Sequence, residues 1–282
     1  MLSPLPGWIV SAPADTLEPA AFRSGAALAH LALAADDPDL PQALWRDRLA
    51  LAAAKVCAEL AGRREGTEAL RDALHLTKAG DDPGPAGRVL RHWSQAVARP
   101  ISVAGLARAL EGVKPDRIAL SLDATGGTPV DRAARVIEAV LTDRPRAETE
   151  ALILAEAVLS KALRQDHVLP LISLGLKARD LRLRGDDLRL ACHRAVVSAV
   201  GQALPLAGDL ARAAARLRAV SPKLRAKAAS RAVDLFLSRD ALAPGALTFM
   251  SDRAARRLCD RLVALGAVRE LTGRDTFRLY GV

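Results

Sequence analysis

Within residues 251–280 the spacing of apolar residues switches from a helical period to a strand period. No other stretch constrains the fold as tightly. Ser251 is an N-cap residue, and Asp252 suits the positive end of a following helix. Ala254, Ala255, Leu258, Leu262 and Leu265 recur at helical spacing and predict one apolar face. Arg253, Arg256 and Asp260 fall opposite it, with Arg257 and Arg261 on the flanks. Gly266 is placed to end the helix with a left-handed cap. Residues 268–271 and 276–280 then read as two strands around Thr272, Gly273, Arg274 and Asp275. Phe277 and Leu279 are predicted on one face, and Thr276, Arg278 and Tyr280 on the other.

Upstream, helical patterning runs through most of the chain; residues 115–127 are ambiguous and 168–176 form an apolar run. Half of the 282 residues are hydrophobic but only 3% are aromatic, and alanine and leucine dominate. Both are strong helix formers, which predicts a mainly α protein built by close helix packing. The fold expected is a helical-bundle body followed by a C-terminal winged helix-turn-helix with a two-stranded β-hairpin wing. Residues 1–17 read as an extended proline-rich arm, 18–220 as the all-helical body and 221–282 as the winged-helix domain. Ser221 and Pro222 mark the boundary. Residues 186–203 and 205–219 read as separate helices, and 223–239 as the first helix of the winged module. In that helix Lys223, Lys227 and Arg231 form a basic stripe.

Charge divides the chain in the same sense. Residues 1–160 carry 18 Lys and Arg against 21 Asp and Glu, while residues 161–282 carry 23 against 11. A basic C-terminal half suits a polyanionic partner. Arg253, Arg256, Arg257 and Arg261 are the candidates for DNA phosphates or base edges, and Arg274 and Arg278 for backbone contacts through the wing. The helical body leaves room for dimerisation, so a homodimer is a second expected partner.

A second stretch carries chemistry of its own. Gly80, Gly84 and Gly87 read as a loop running into a helix at 89–99, with Arg88 and Arg91 in its first turns and His75 just upstream. Free N–H groups beside a helix N-terminus suit an anion, so His75, Gly84, Gly87, Arg88 and Arg91 form a candidate anion site. The Gly-Lys-Ser/Thr ending of a Walker loop is missing, and the plain alternative is a turn that only starts a helix. In the connection 177–185, Lys177, Arg179, Arg182 and Arg184 are expected to pair with Asp180, Asp186 and Asp187.

Cys57, Cys192 and Cys259 lie far apart without metal-ligand spacing, which suits a reduced cytoplasm. Cys192 and His193 are neighbours in a helix and point in different directions, so no metal or catalytic role is assigned to them. The N-terminus lacks the pattern of a signal peptide, and no apolar run is long enough to span a membrane. No catalytic residue, metal site or cofactor is assigned.

Three stretches, ALRDALHLTKAGDDPGPAGR, DHVLPLISLGLKARDLRLRGDDLRLACHR and DRAARRLCDRLVALGAVRELTGRDTFRLYGV, resemble domain-of-unknown-function family 1403, which implies no activity. The order LVxLGxVRELTGR in the last one also resembles the winged-helix tails of Fic-type AMP-transferases. The Fic His-Pro-Phe…Gly-Asn-Gly-Arg loop has no counterpart here; His75…Gly87-Arg88 has the wrong spacing and lacks the asparagine and phenylalanine. The leading expectation is a cytoplasmic DNA-binding protein with a regulatory role. A nucleotide- or phosphate-binding or degenerate Fic-like protein using residues 80–91, and a non-enzymatic interaction scaffold, stand beside it.

Overall fold

The computed structural model describes residues 3–11, 14–78, 80–224, 228–274 and 276–282. The body begins with a short helix, α1 (Gly7–Val10), then α2 (Leu17–Ala35), α3 (Gln42–Leu60), α4 (Thr67–His75), α5 (Gly84–Ala98), α6 (Val103–Ala109) and α7 (Pro115–Leu122). It continues with α8 (Pro129–Asp143), α9 (Glu148–Ala162), α10 (Ile172–Gly175) and the long α11 (Gly185–Val220). The main layers are α2 along α11, α3 along α5, and α8 along α9. Helix α9 sits at the centre: every residue from Ala151 to Ser160 is buried, because this segment carries no charge except Glu156. Trp45 and Trp93 fill the core and still satisfy their indole N–H groups. Trp45 donates to the Ala203 carbonyl at 3.3 Å, and Trp93 to Cys57 Sγ at 3.3 Å. Among the described residues no helix is long and apolar enough to cross a membrane.

Upstream of Ser251 the structure departs from the sequence reading in four places. The arm is not wholly extended: α1 forms within it and buries Ile9. Helix α5 starts at Gly84, so Gly84 and Gly87 belong to the helix and not to a loop. Gly87 is buried where an added Cβ would lie 2.5 Å from Pro83 Cβ and 3.2 Å from Ala73, so its small size serves both the turn into α5 and the packing of α4 on α5. Residues 186–203 and 205–219 form one helix, with Pro205 inside. Pro205 and Gly201 both face solvent, so the Gly201 carbonyl left without its i+4 donor is open to water and the helix continues. Finally, the helix expected over 223–239 is shorter. A 3₁₀ turn at Ser221–Lys223 precedes α12 (Ala229–Phe236), and Lys227 of the basic stripe lies outside the described residues.

Beyond α12 the chain makes a 3₁₀ turn at Pro244–Ala246, then α13 (Asp252–Ala264) and a hairpin of β1 (Arg269–Glu270) and β2 (Tyr280–Gly281). The strands are antiparallel, with Arg269 opposite Gly281 and Glu270 opposite Tyr280. Leu242 forms a further antiparallel bridge to Tyr280. The architecture is thus mainly α with a small β-hairpin at its C-terminal end. The hairpin is shorter than the sequence predicts, and its faces differ. Phe277 adopts a left-handed φ of 56° and is 71% exposed, while Leu279 and Tyr280 are both buried. The left-handed residue breaks the alternation, so Tyr280 turns inward. It joins Phe236, Leu247, Leu258, Leu262 and Leu217 of α11 in a second apolar core, distinct from that of the body.

Candidate nucleic-acid interface

Helix α13 forms where the sequence places it, for local reasons. Ser251 Oγ accepts the N–H of Ala254 at 3.4 Å, Asp252 occupies the first turn, and Gly266 follows the last turn with φ 64°. Ala255, Leu258, Cys259 and Leu262 face the second core. The outer face then carries Arg253, Arg256, Arg257 and Arg261, all exposed.

These four arginines are not equivalent. Arg256 pairs with Asp252 at 2.9 Å, one turn away. Together with Asp260 these two residues line a cleft of about 640 Å³, bounded opposite by residues 75–78 and by the hairpin at 276–280. Arg253, Arg257 and Arg261 form a separate stripe at i, i+4 and i+8, and none makes an ion pair among the described residues. That stripe is free to meet an anionic surface, whereas Arg256 is already committed.

The hairpin arginines are placed differently again. Arg274 forms an ion pair with Asp72 of α4, so the hairpin tip is folded back on the body. Arg278 donates to the Arg274 carbonyl at 2.9 Å and lies 3.8 Å from Glu270, and it also bonds the Tyr280 side chain. Both residues hold the hairpin in place.

The proposed anion residues do not surround one vacant point. Asp82 Oδ1 accepts the Gly84 N–H at 3.1 Å, and its other oxygen takes Arg88 Nη1 at 2.7 Å. The chain's own carboxylate therefore occupies the start of α5, where an anion would sit. Arg91 lies 3.8 Å from Glu111, and His75 lines the cleft beside α13. In the basic connection, Arg179 is 3.6 Å from Asp180, while Arg184 donates to the Leu181 and Leu183 carbonyls. Asp186 pairs with Arg189 at 2.7 Å.

Two clusters have no counterpart in the sequence reading. One is a hub at Asp240, which is 6% exposed and lies between the body and the C-terminal core. Arg71 meets its two carboxylate oxygens at 2.6 and 2.9 Å, Arg48 forms an ion pair with it, and its N–H donates to Asp47 Oδ2 at 2.8 Å. Arg48 also donates to the Val282 carbonyl at 3.1 Å. The only local trace is a scatter of charges on α3 and α4, which reads as surface. The other joins Ser24, Asp131 and His193, residues far apart in the chain.

No curated protein matches the chain. The likeness of the closing stretch to Fic-type tails stays a resemblance of one short motif. A family model described as "Protein of unknown function (DUF1403)" matches residues 1–282, the whole chain. The protein therefore belongs to the DUF1403 family.

Proposed function

We propose that the protein binds DNA through its C-terminal segment, which acts as a winged helix with α13 as the helix that meets the duplex. The observation that carries this reading is the stripe of Arg253, Arg257 and Arg261, exposed and without ion pairs among the described residues. The order of elements supports it: α12, the extended segment at Leu242, a turn, α13, then the hairpin, all closed over their own core. A helix of this kind fits the major groove, and three cations at successive turns reach phosphates along one side of it. Arg256 has a minor part because Asp252 neutralises it, and Arg274 and Arg278 serve the hairpin instead of the backbone of the DNA.

Fluorescence anisotropy of the full chain on duplex DNA, titrated with salt, tests this. Each phosphate contact contributes about 0.9 to the slope of log affinity against log salt. Joint replacement of Arg253, Arg257 and Arg261 by alanine is expected to flatten that slope by about 3 and to weaken binding. Arg256→Ala is expected to change it by less than any single member of the stripe. An unchanged slope in the triple variant removes α13 from the interface.

A further inference from the structure

Helices α2, α8 and α11 bring Ser24, Asp131 and His193 together in the body, at 1%, 4% and 1% exposure. Ser24 Oγ lies 2.7 Å from His193 Nδ1, and His193 Nε2 lies 3.3 Å from Asp131 Oδ1. Asp131 is held in turn by Arg189 Nε at 2.9 Å and by the Thr128 N–H at 2.9 Å. Burial opposes ionisation of Asp131, but the Arg189 and Thr128 bonds outweigh it and hold its carboxyl well below the usual range. Burial pushes the His193 ring below its ordinary pKa, with Asp131 pulling the other way.

These groups fix the protons. An ionised Asp131 only accepts, so His193 Nε2 carries the hydrogen that faces it. A neutral ring then leaves a lone pair on Nδ1, directed at the Ser24 hydroxyl. Ser24 Oγ also lies 3.0 Å from the Ala21 carbonyl, but donating there leaves Nδ1 without a donor unless the ring is charged. A buried, uncharged ring favours the bond from Ser24 to His193.

Ser24 and His193 line a chamber of about 360 Å³ walled by Leu28, Leu31, Leu163 and Leu169. It opens past Gly25, Ala29 and Ala32, which are exposed on α2. The size suits a small organic ligand, and the walls suit an apolar one. Pro129 and Val130, at the start of the 15-residue α8, line the same chamber.

We propose that Ser24 is an activated nucleophile, with His193 as its base and Asp131 as the group that orients the base, acting on carboxylic esters of small apolar acids. Nucleophile, base and orienting carboxylate within hydrogen-bond reach, beside an apolar chamber, are parts that acyl transfer uses. Ser24 Oγ adds to the ester carbonyl carbon as its proton passes to His193 Nδ1. The ester C–O bond breaks, the alcohol leaves with that proton, and an acyl-Ser24 remains. Water, deprotonated by the same nitrogen, then releases the carboxylic acid and restores the serine. The balance is ester plus water to acid plus alcohol, with no redox change. This activity is independent of the DNA reading, because its groups lie in the body.

A fluorophosphonate probe on the full chain tests it. The serine oxygen displaces fluoride from phosphorus, and peptide mass spectrometry locates the adduct. The expected result is a stoichiometric adduct on Ser24, absent in Ser24→Ala, and slowed about 100-fold in His193→Gln at neutral pH, as loss of a general base implies. p-Nitrophenyl butyrate is expected to be hydrolysed by the wild type and not by Ser24→Ala. Circular dichroism checks that the variants are folded. If His193→Gln does not fold, the wild type decides alone. A folded wild type that gives no adduct on Ser24, or a folded His193→Gln that reacts at the same rate, overturns the proposal.

Discussion

At the scale of single residues, Glu156 is a carboxyl buried in the core of the body. It is fully buried on α9, and its Oε1 accepts three bonds at 2.8 Å, from the N–H groups of Leu171 and Ser173 and from Ser173 Oγ. Oε2 has no hydrogen-bond partner among the described residues. These bonds shape the turn that begins α10, so the carboxyl is a fastener between two elements. Burial pushes its pKa up to about 7, against the opposing pull of the Ser173 and Leu171 bonds. The folded protein therefore holds this proton more tightly than the unfolded chain does. Its contribution is fully present below the unfolded pKa of 4.5 and is lost as pH rises through about 7. The loss is on the order of 3 kcal/mol. Glu156→Gln keeps the shape and an acceptor, so its thermal midpoint is expected to vary less between pH 5 and 8 than that of the wild type. Parallel pH profiles for the two proteins would mean that this carboxyl does not titrate there.

Elements pack at distances set by their smallest residues. At Gly175, the end of α10, an added Cβ would meet the Ala195 backbone of α11 at 2.4 Å to oxygen and 2.5 Å to Cα. Backbone cannot yield as a flexible side chain does. Gly175→Ala is expected to cost about 1–3 kcal/mol or more, read as a lower urea midpoint. Gly201 on α11 is the control: nothing lies within 4 Å of its added Cβ, and its φ is not left-handed. There alanine is expected to be neutral or to stabilise by up to about 1 kcal/mol, because it lowers the entropy lost on folding. If both changes have the same effect, close approach of α10 to α11 does not limit the packing.

The whole molecule is held as one by α11 and by the Asp240 hub. Helix α11 runs from His193 in the body to Leu217 in the C-terminal core, and Asp240 ties that core to α3 and α4. The side chains of Arg48 and Arg71 are each 11% exposed, so neither can find water if its carboxylate is removed. Asp240→Ala is expected to cost about 3–5 kcal/mol, the range for breaking a buried pair. Its position predicts where the cost falls. Amide hydrogen exchange in α12, α13 and the hairpin is expected to accelerate more than exchange in α9. Uniform acceleration through the chain would mean that Asp240 does not latch the C-terminal core to the body.

What could be read in the sequence alone follows range. Helical spacing, the cap at Ser251, the stop at Gly266 and the arginines of α13 depend on neighbours within a turn or two, and the structure places them as read. The pair of Arg256 with Asp252 is local in the same way. Helix α5 starts five residues earlier than read, and Gly87 is confined by Pro83 one turn away as well as by Ala73 of another helix. The single α11 was not legible, since Pro205 is tolerated only because the packing turns it to solvent. The inward turn of Tyr280 follows from the left-handed Phe277, and its pairing with Leu242 joins residues far apart in the chain. The ion pair of Arg274 with Asp72 joins residues 202 positions apart, and Ser24 meets His193 across 169. Local spacing and capping thus determined the helices and the basic face. Tertiary packing decided which charges are spent between distant segments and which buried polar side chains meet, because burial makes such contacts only after those segments are brought together.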